Sequence, residues 1–342
     1  MGVASDVRVG PLAALAGLLR ELGHDPAPVF AAGGLPADAF DDFERRVPFR
    51  AAGAVLQQAA RTARRDDIGL LLGQRFRPEQ FGLLGDLMRR ARSVGEALHD
   101  LGRFFHLQDR GAAVYLRQAG PGSVALGYSL LDAGAPGVAL IYDLAIMVGL
   151  GLLRGLAGPA FRADEVSLMR PLPHDPAAWR RACGASVAFE AAHSEIRFAV
   201  RWLDAPVAGG SDGSAHAAAQ RIARSAERAV TPDLAARAQA AAQVLLAGGA
   251  ASAQRLADAF GVHERTLRRR LAHEGSSFAA VIAAARFELA RQLLRETRLP
   301  LAAVAEALGY ADAPAFVRAF RRWAGCTPGQ WRAAAVKPPA AP

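Results

Sequence analysis

Hydrophobic positions recur along this chain at two periods, and the changes of period mark its parts. Near the start, Leu12, Leu15, Leu18, Leu19 and Leu22 fall at helical spacing, which predicts a helix over 11–23 closed by Gly23. Short helices follow at 26–33 and 48–64, the second with Val55, Leu56 and Ala59 facing inward. The run Phe81-Gly82-Leu83-Leu84-Gly85 precedes a helical 86–92. Ser93 stands three residues before Glu96, a capping-box pattern that opens a helix over 94–105 with Leu98, Leu101 and Phe105 on one face. The period then drops to two. Residues 113–117 and 123–130 read as the strands of a hairpin joined by the turn-rich 118–122. A strongly apolar helix is predicted over 136–156. Asp143 interrupts it, Gly149 and Gly151 break it, and its apolar run of sixteen residues is short for a membrane span, so it reads as a buried helix. Strands at 165–169, 187–190 and 195–200, with a short helix at 177–183, complete a mixed α/β domain with antiparallel strands over 1–203.

Beyond 203 the pattern is nearly all helical. Residues 204–214 are rich in Gly, Ser and Asp and form the best linker in the chain, so 204–230 reads as a linker and connecting helix. An all-α domain then occupies 231–334, with 335–342 as a disordered tail. Thr231-Pro232-Asp233 is a helix start signal, Gly248-Gly249 ends that helix, and Ser252 caps the next. Within this domain one pattern is written twice. Ala257 lies four residues before Gly261, and a second helix follows with Arg265, Thr266, Leu267, Arg268, Arg269, Arg270 and Leu271. Ala305 lies four residues before Gly309, and a helix capped by Asp312 follows with Pro314, Phe316, Arg318 and Phe320. Each copy is a short helix, a tight turn and a second helix carrying Arg, the outline of a helix-turn-helix. Leu267, Leu271, Phe316 and Phe320 should face the core. A long helix over 278–299 separates the copies. The fold class is therefore a two-domain chain: an N-terminal mixed α/β domain, then two tandem helix-turn-helix motifs joined by a long helix.

Charge sharpens the reading. The net charge of the 342 residues is +9, and residues 231–342 hold 15 basic against 8 acidic side chains. Basicity gathered in the part with the repeated motif points to double-stranded DNA as partner. Lys337 is the one lysine, so nearly every positive charge is a guanidinium. Arg265, Arg268 and Arg269 share one broad helix face, and Arg is the commonest reader of guanine, donating twice to O6 and N7.

Other chemistries find no support. Cys183 and Cys326 are far apart and in no metal-ligand spacing, which fits two reduced thiols in a cytoplasmic protein. The eight histidines form no zinc pattern, and no metal or cofactor is expected. No nucleophile elbow, phosphate loop or catalytic carboxylate pair appears, and neither cysteine sits in a Pro-Cys-His setting, so the chain is not expected to be an enzyme. No secretory signal is visible. The competing reading is a helix-turn-helix module fused to an enzymatic or effector-independent domain.

Residues 233–332 resemble the DNA-binding domain of the AraC/XylS transcription regulators. The resemblance is carried by Ala257-x3-Gly261, by Thr266-Leu267-Arg268-Arg269-Arg270-Leu271 and by Arg286-x4-Arg291-x-Leu293-Leu294. Its most specific part is Ala305-x3-Gly309-Tyr310, followed by Ala315-Phe316-x-Arg318-Ala319-Phe320-Arg321-Arg322-Trp323-x-Gly325-x-Thr327-Pro328. It implies base-facing positions at Arg265, Arg268 and Arg269 in the first copy and at Ala313, Pro314, Ala315 and Arg318 in the second, with Arg322 a further DNA contact. Ala313, Pro314 and Ala315 depart from the polar residues often found there, so the first copy is expected to supply most discrimination. Phe81-Gly82-Leu83-Leu84-Gly85, Ser93-Val94-Gly95-Glu96-Ala97-Leu98 and Phe189-Glu190-Ala191-x-His193-Ser194-Glu195-Ile196 resemble the "arabinose-binding" type of sensor domain found in ornithine-utilisation regulators. That label does not establish a sugar ligand. The resemblance implies a small-molecule effector, a homodimer, contact with RNA polymerase, activation as the commoner outcome, and work in the bacterial cytoplasm on the nucleoid rather than at a membrane. Candidate effector residues are Phe81, Leu84, Tyr142 and Met147, with Asp143 and Arg154 as the polar groups of an apolar stretch that meet either a ligand or a buried ion pair.

Overall fold

The computed structural model describes residues 5–336 apart from 131, 133, 209–212, 230–233, 248–251, 261–262 and 297–298. The chain divides into two compact units, Met1–Thr231 and Pro232–Pro342. The first contains, in order, β1 (Asp6–Arg8), α1 (Leu15–Glu21), α2 (Pro26–Ala32), β2 (Arg46–Pro48), α3 (Phe49–Ala63), α4 (Ile68–Gln74), α5 (Gly82–Arg89) and α6 (Val94–Phe104). Then come β3 (Ala112–Gln118), β4 (Ser123–Leu130), α7 (Val138–Ala157), β5 (Glu165–Ser167), α8 (Pro176–Cys183), β6 (Ser186–Ala188), β7 (Ser194–Ala199) and α9 (Gly213–Ala229).

The expected hairpin forms, with Ala112 opposite Leu130 and Gln118 opposite Val124. It starts a five-stranded sheet of order β3-β4-β7-β5-β6. The expectation of antiparallel strands needs one correction: β5 and β6 run parallel, whereas β4 with β7 and β5 with β7 are antiparallel. A parallel pair requires a crossover, and α8 supplies it. The pairing of β1 with β2 was not legible, because three residues are too few to show an alternation. The helix expected over 11–23 is a 3-10 turn at Gly10–Leu12 followed by α1. Ser93 caps α6 as its sequence position predicts, its Oγ accepting from Glu96 N at 3.2 Å. The Glu96 carboxylate accepts from Arg92 N at 2.7 Å, one residue earlier than in the reciprocal capping box.

The apolar α7 is long and apolar enough to cross a membrane by length and composition, yet most of it is buried here. Leu150 and Leu153 are fully buried, and α7 packs on α3, α4, β4 and β7. Burying α7 forces a partner on Asp143. Its carboxylate pairs with the Arg170 guanidinium and accepts from Trp179 Nε1 at 3.1 Å, while Arg170 lies 4.4 Å from the centre of the Trp179 ring. The segment expected as a linker and connecting helix contains α9, which packs on α5 and places Ala219 and Ala223 in the core of the first unit.

The second unit is all helical: α10 (Leu234–Ala247), α11 (Ala253–Ala259), α12 (Glu264–His273), α13 (Phe278–Glu296), α14 (Leu301–Ala307), α15 (Ala313–Ala324) and α16 (Pro328–Val336). It has two small cores. Leu256, Leu267 and Leu271 pack with Val281 and Ala285 of α13. Val304, Leu308, Phe316 and Phe320 pack with Ala290 and Leu294 of the same helix. The inward positions expected at Leu267, Leu271, Phe316 and Phe320 are all buried. Ser252 caps α11, its Oγ accepting from Arg255 N at 3.1 Å. The signals at Thr231-Pro232-Asp233, Gly248-Gly249 and Gly261, and residues 337–342 of the tail, lie outside the described residues.

Arg170→Met leaves the Asp143 carboxylate buried without its counter-ion. The substitution should destabilise the protein by about 3–5 kcal/mol in urea denaturation, and a loss below about 1 kcal/mol would show that Trp179 alone suffices.

Candidate functional site

The face offered by the second unit is built from the ends of two helices. His263 caps α12, its Nδ1 accepting from Arg265 N at 3.3 Å. Leu267 and Leu271 anchor the helix, which leaves Arg265, Arg268 and Arg269 exposed on the other side. Arg268 is restrained from two helices: its Nε donates to Glu264 Oε1 of α12 at 2.7 Å, and its guanidinium lies 5.5 Å from the ring centre of Phe278 at the start of α13. An exposed pair four residues apart contributes only about 0.3–0.5 kcal/mol, so a stronger acceptor displaces Glu264 readily.

The second helix start is laid out differently. Asp312 caps α15, accepting from Ala315 N at 2.6 Å, and Pro314 falls in the first turn, where no intrahelical donor is lost. Ala313 and Ala315 are half-buried, whereas Pro314, Arg318 and Arg322 are exposed. Arg318 and Arg322, four apart, share a face. The turn before α15 depends on α13. Arg286 Nε donates to the Leu308 carbonyl at 3.0 Å, and the guanidinium covers the Tyr310 ring at 4.9 Å. Gly309 sits at φ +72° in this turn, a conformation that disfavours any side chain. The sequence offered Arg286 as part of a motif, and the structure supplies its task.

The first unit contains a cavity. Its volume is about 90 Å³, against the ~10–15 Å³ that one water needs, so it has room for a small molecule. The wall is almost wholly apolar, with Phe49 and Leu56 from α3, Leu101 from α6, Ile141 and Leu152 from α7 and Ile196 from β7. Its polar side chains are Arg8, Gln108, Asp109 and Tyr128. Two of these satisfy each other: the Tyr128 hydroxyl donates to Asp109 Oδ2 at 2.9 Å, and Asp109 Oδ1 accepts from Gly111 N at 2.7 Å. Burial pushes the Asp109 carboxyl from its ordinary 3.8 up to about 6 against the pull of these hydrogen bonds.

Phe81 is the one sequence-chosen effector residue on this wall. Leu84 is buried beside it in the core. Tyr142 meets Tyr128 edge-on, ring centres 6.1 Å apart. Asp143 faces Arg170, the Met147 sulfur lies 4.0 Å from Cys183 Sγ, and Arg154 donates to the Cys183 carbonyl. The cavity uses another stripe of α7, containing Ile141, Ala145, Val148, Gly149 and Leu152. An all-round apolar helix gives no reason to choose one stripe over another. Gly149 was a usable signal, because an added Cβ would lie 3.0 Å from Ile196 Cδ1 and the bare backbone lets helix and sheet approach.

Residues 23–207, more than half of the chain, match the family model described as the arabinose-binding domain of AraC transcription regulators, N-terminal. The chain belongs to the AraC family of transcription regulators. Residues 256–334 match a helix-turn-helix domain. The transcriptional regulator VirS of Mycobacterium tuberculosis is 30% identical over 97% of this chain and 98% of its own length. The ornithine utilization regulator of Pseudomonas aeruginosa is 27% identical, covering 94% of each chain. Among solved structures, the transcriptional regulator CdpR from Pseudomonas aeruginosa is 27% identical over 78% of this chain and 86% of that one, with a TM-score of 0.41. As an AraC-type regulator, the protein pairs an N-terminal ligand-binding domain with a C-terminal DNA-binding helix-turn-helix domain.

Asp109 gives the cavity a pH signature. The unfolded chain ionises this carboxyl near 3.8 and the folded chain holds its proton to about 6, so its stabilising contribution is complete below about 3.8 and lost as pH rises through about 6. Asp109→Asn should remove that part of the fall in melting temperature between about pH 4 and 6. Parallel curves for the two proteins would show that Asp109 ionises normally.

Proposed function

We propose that this regulator reads DNA with two helix-turn-helix motifs, α11–α12 and α14–α15, held apart by α13, and that the two contribute unequally. The carrying observation is the contrast between the two helix starts. One exposes Arg265, Arg268 and Arg269, and the other offers Ala313, Pro314 and Ala315 with Arg318 and Arg322 further along. Arginine donors discriminate bases, whereas alanine and proline can at most touch thymine methyls. The first motif is therefore the reader, and the second mainly clamps phosphates through Arg318 and Arg322. The nineteen residues of α13 span about 30 Å, close to the ~34 Å between successive major-groove segments on one face of DNA.

The cavity of the first unit is the effector site in this reading, and its occupant is a small metabolite. The protein works as a homodimer in the bacterial cytoplasm, on the nucleoid, activating transcription through contact with RNA polymerase, the commoner behaviour of the family. It is not an enzyme: the Cys183 thiol is buried and pushed up to about 12 by that burial, which suits packing and not nucleophilic attack.

Selection of bound sites from random duplexes tests the division of labour. Arg268→Ala should relax preference at one or two adjacent base pairs and weaken specific binding by about 1–3 kcal/mol. Arg318→Ala should weaken all sequences alike and lower the salt slope by about 1. If Arg318→Ala or changes at Ala315 rewrote the preferred site while Arg268→Ala left it intact, reader and clamp would be exchanged.

A further inference from the structure

The polar end of the cavity holds one charge whose partner lies outside. Arg8 is 6% exposed, and its guanidinium pairs with the Glu44 carboxylate, whose side chain is 70% exposed. Among the described residues, Arg8 Nε has no hydrogen-bond partner. Gln108 stands beside it: Arg8 N donates to the Gln108 carbonyl at 2.8 Å, and Gln108 Nε2 donates to the Arg8 carbonyl at 3.1 Å. Gln108 Oε1 is buried and, among the described residues, also without a partner. A donor and an acceptor in one apolar wall thus have hydrogen bonds still to make, where buried polar groups are ordinarily satisfied.

The backbone is shaped to admit this guanidinium. Gly82 sits at φ +50°, and an added Cβ would lie 2.6 Å from Arg8 Nη2 and 2.7 Å from Glu44 Oε1. The Phe81-Gly82 step therefore does two things. Phe81 supplies apolar wall, and Gly82 leaves the space in which Arg8 meets a carboxylate.

On the reading that this cavity is the effector site, we propose that its ligand is a hydrophobic monocarboxylate, with the hydrocarbon body between α3, α7 and the sheet and the carboxylate on Arg8. In the structure Glu44 holds the place of that carboxylate. Being exposed, it pairs weakly and yields to a ligand that brings apolar surface with it. Gln108 Oε1 accepts from a hydroxyl on the ligand body where the ligand carries one. A sugar fits poorly despite the name of the matching family model. Its several hydroxyls each need a partner, and of the four polar side chains in the wall Asp109 and Tyr128 are already bonded to each other.

Isothermal titration calorimetry on the full-length protein tests this, with octanoate, 1-octanol and L-arabinose as probes. Octanoate should bind, 1-octanol should bind at least tenfold more weakly, and L-arabinose should give no heat. Arg8→Gln should weaken octanoate about tenfold to hundredfold, the scale of a lost charge-assisted hydrogen bond. Glu44→Gln removes the competing carboxylate at an exposed position and should tighten octanoate, which keeps the proposal open to test if Arg8→Gln fails to fold. Equal affinity for octanol and octanoate, binding of arabinose, absence of octanoate binding, or indifference to Glu44→Gln each overturns the carboxylate assignment. A separate variant, Ala145→Leu, fills the cavity from a lining position that already carries a Cβ. Octanoate binding that survives it would overturn the cavity as effector site, whereas octanoate and octanol binding both lost with Ala145→Leu, but insensitive to Arg8→Gln and Glu44→Gln, would overturn the carboxylate alone.

Discussion

A charge taken into hydrocarbon must meet an opposite charge or a full set of hydrogen bonds, and the first unit is tied together where it obeys that constraint. Asp143 binds Arg170 and Trp179, joining α7 to the segment around α8. Glu195 on β7 holds Arg117 at 2.5 Å and the Tyr115 hydroxyl at 2.8 Å, both from β3, across the intervening β4. Asp109 and Tyr128 join the end of the α6 region to β4. Asp100 on α6 lies 3.0 Å from His216 Nε2 and accepts from Gln220 Nε2 at 3.1 Å, which holds α9. Each pairing unites segments separated in the chain. Arg8 departs from the pattern, since it lines a cavity and its carboxylate comes from an exposed residue. At Arg8 Nε and Gln108 Oε1 the constraint is left incompletely met on the wall of the cavity, among the described residues.

The second unit solves a different problem. Helices α11, α12, α14 and α15 have between seven and twelve residues, and such short helices are marginal alone. Each pair needs a third surface, and α13 gives one end to each. Val281 and Ala285 serve the first core, Ala290 and Leu294 the second. In the same helix Arg286 binds the Leu308 carbonyl and covers Tyr310, fixing the turn in front of α15. The two cores thus draw on opposite ends of the same helix.

What the sequence disclosed follows from how local each signal is. The caps at Ser93, Ser252 and Asp312 depend on neighbours within three residues, and all three form. Leu267, Leu271, Phe316 and Phe320 obey a helical period and are buried. The parallel pairing of β5 with β6 depends on where a crossover lands, and no periodicity records that. The cavity was hidden for a related reason. Its wall comes from segments as distant as Arg8, Phe49, Tyr128 and Ile196, and residues that line a cavity have the same composition as residues that fill a core. Phe81, named from the Phe81-Gly82-Leu83-Leu84-Gly85 motif, lies on that wall, whereas Leu84 of the same motif does not. Asp143 drew notice as a charge in an apolar run, but its partner Arg170 is twenty-seven residues away and outside any helical spacing.

One helix of the first unit bears on both of its special features. Leu101 of α6 is part of the cavity wall, while Asp100, the preceding residue, holds His216 and Gln220 of α9. Adjacent residues on a helix point about 100° apart, so one face of α6 meets the cavity and a neighbouring face meets the last helix before the DNA-binding unit in the chain. A ligand can bias a regulator only by binding one conformation better than another, and the contacts that differ must lie where the ligand touches. Leu101 is packed in the core and the Asp100 carboxylate is buried and bonded to α9, so the cavity wall and the hold on α9 lie one residue apart on the same helix. Close-packed interiors transmit small displacements, which makes α6 the element through which a change at the wall would reach α9.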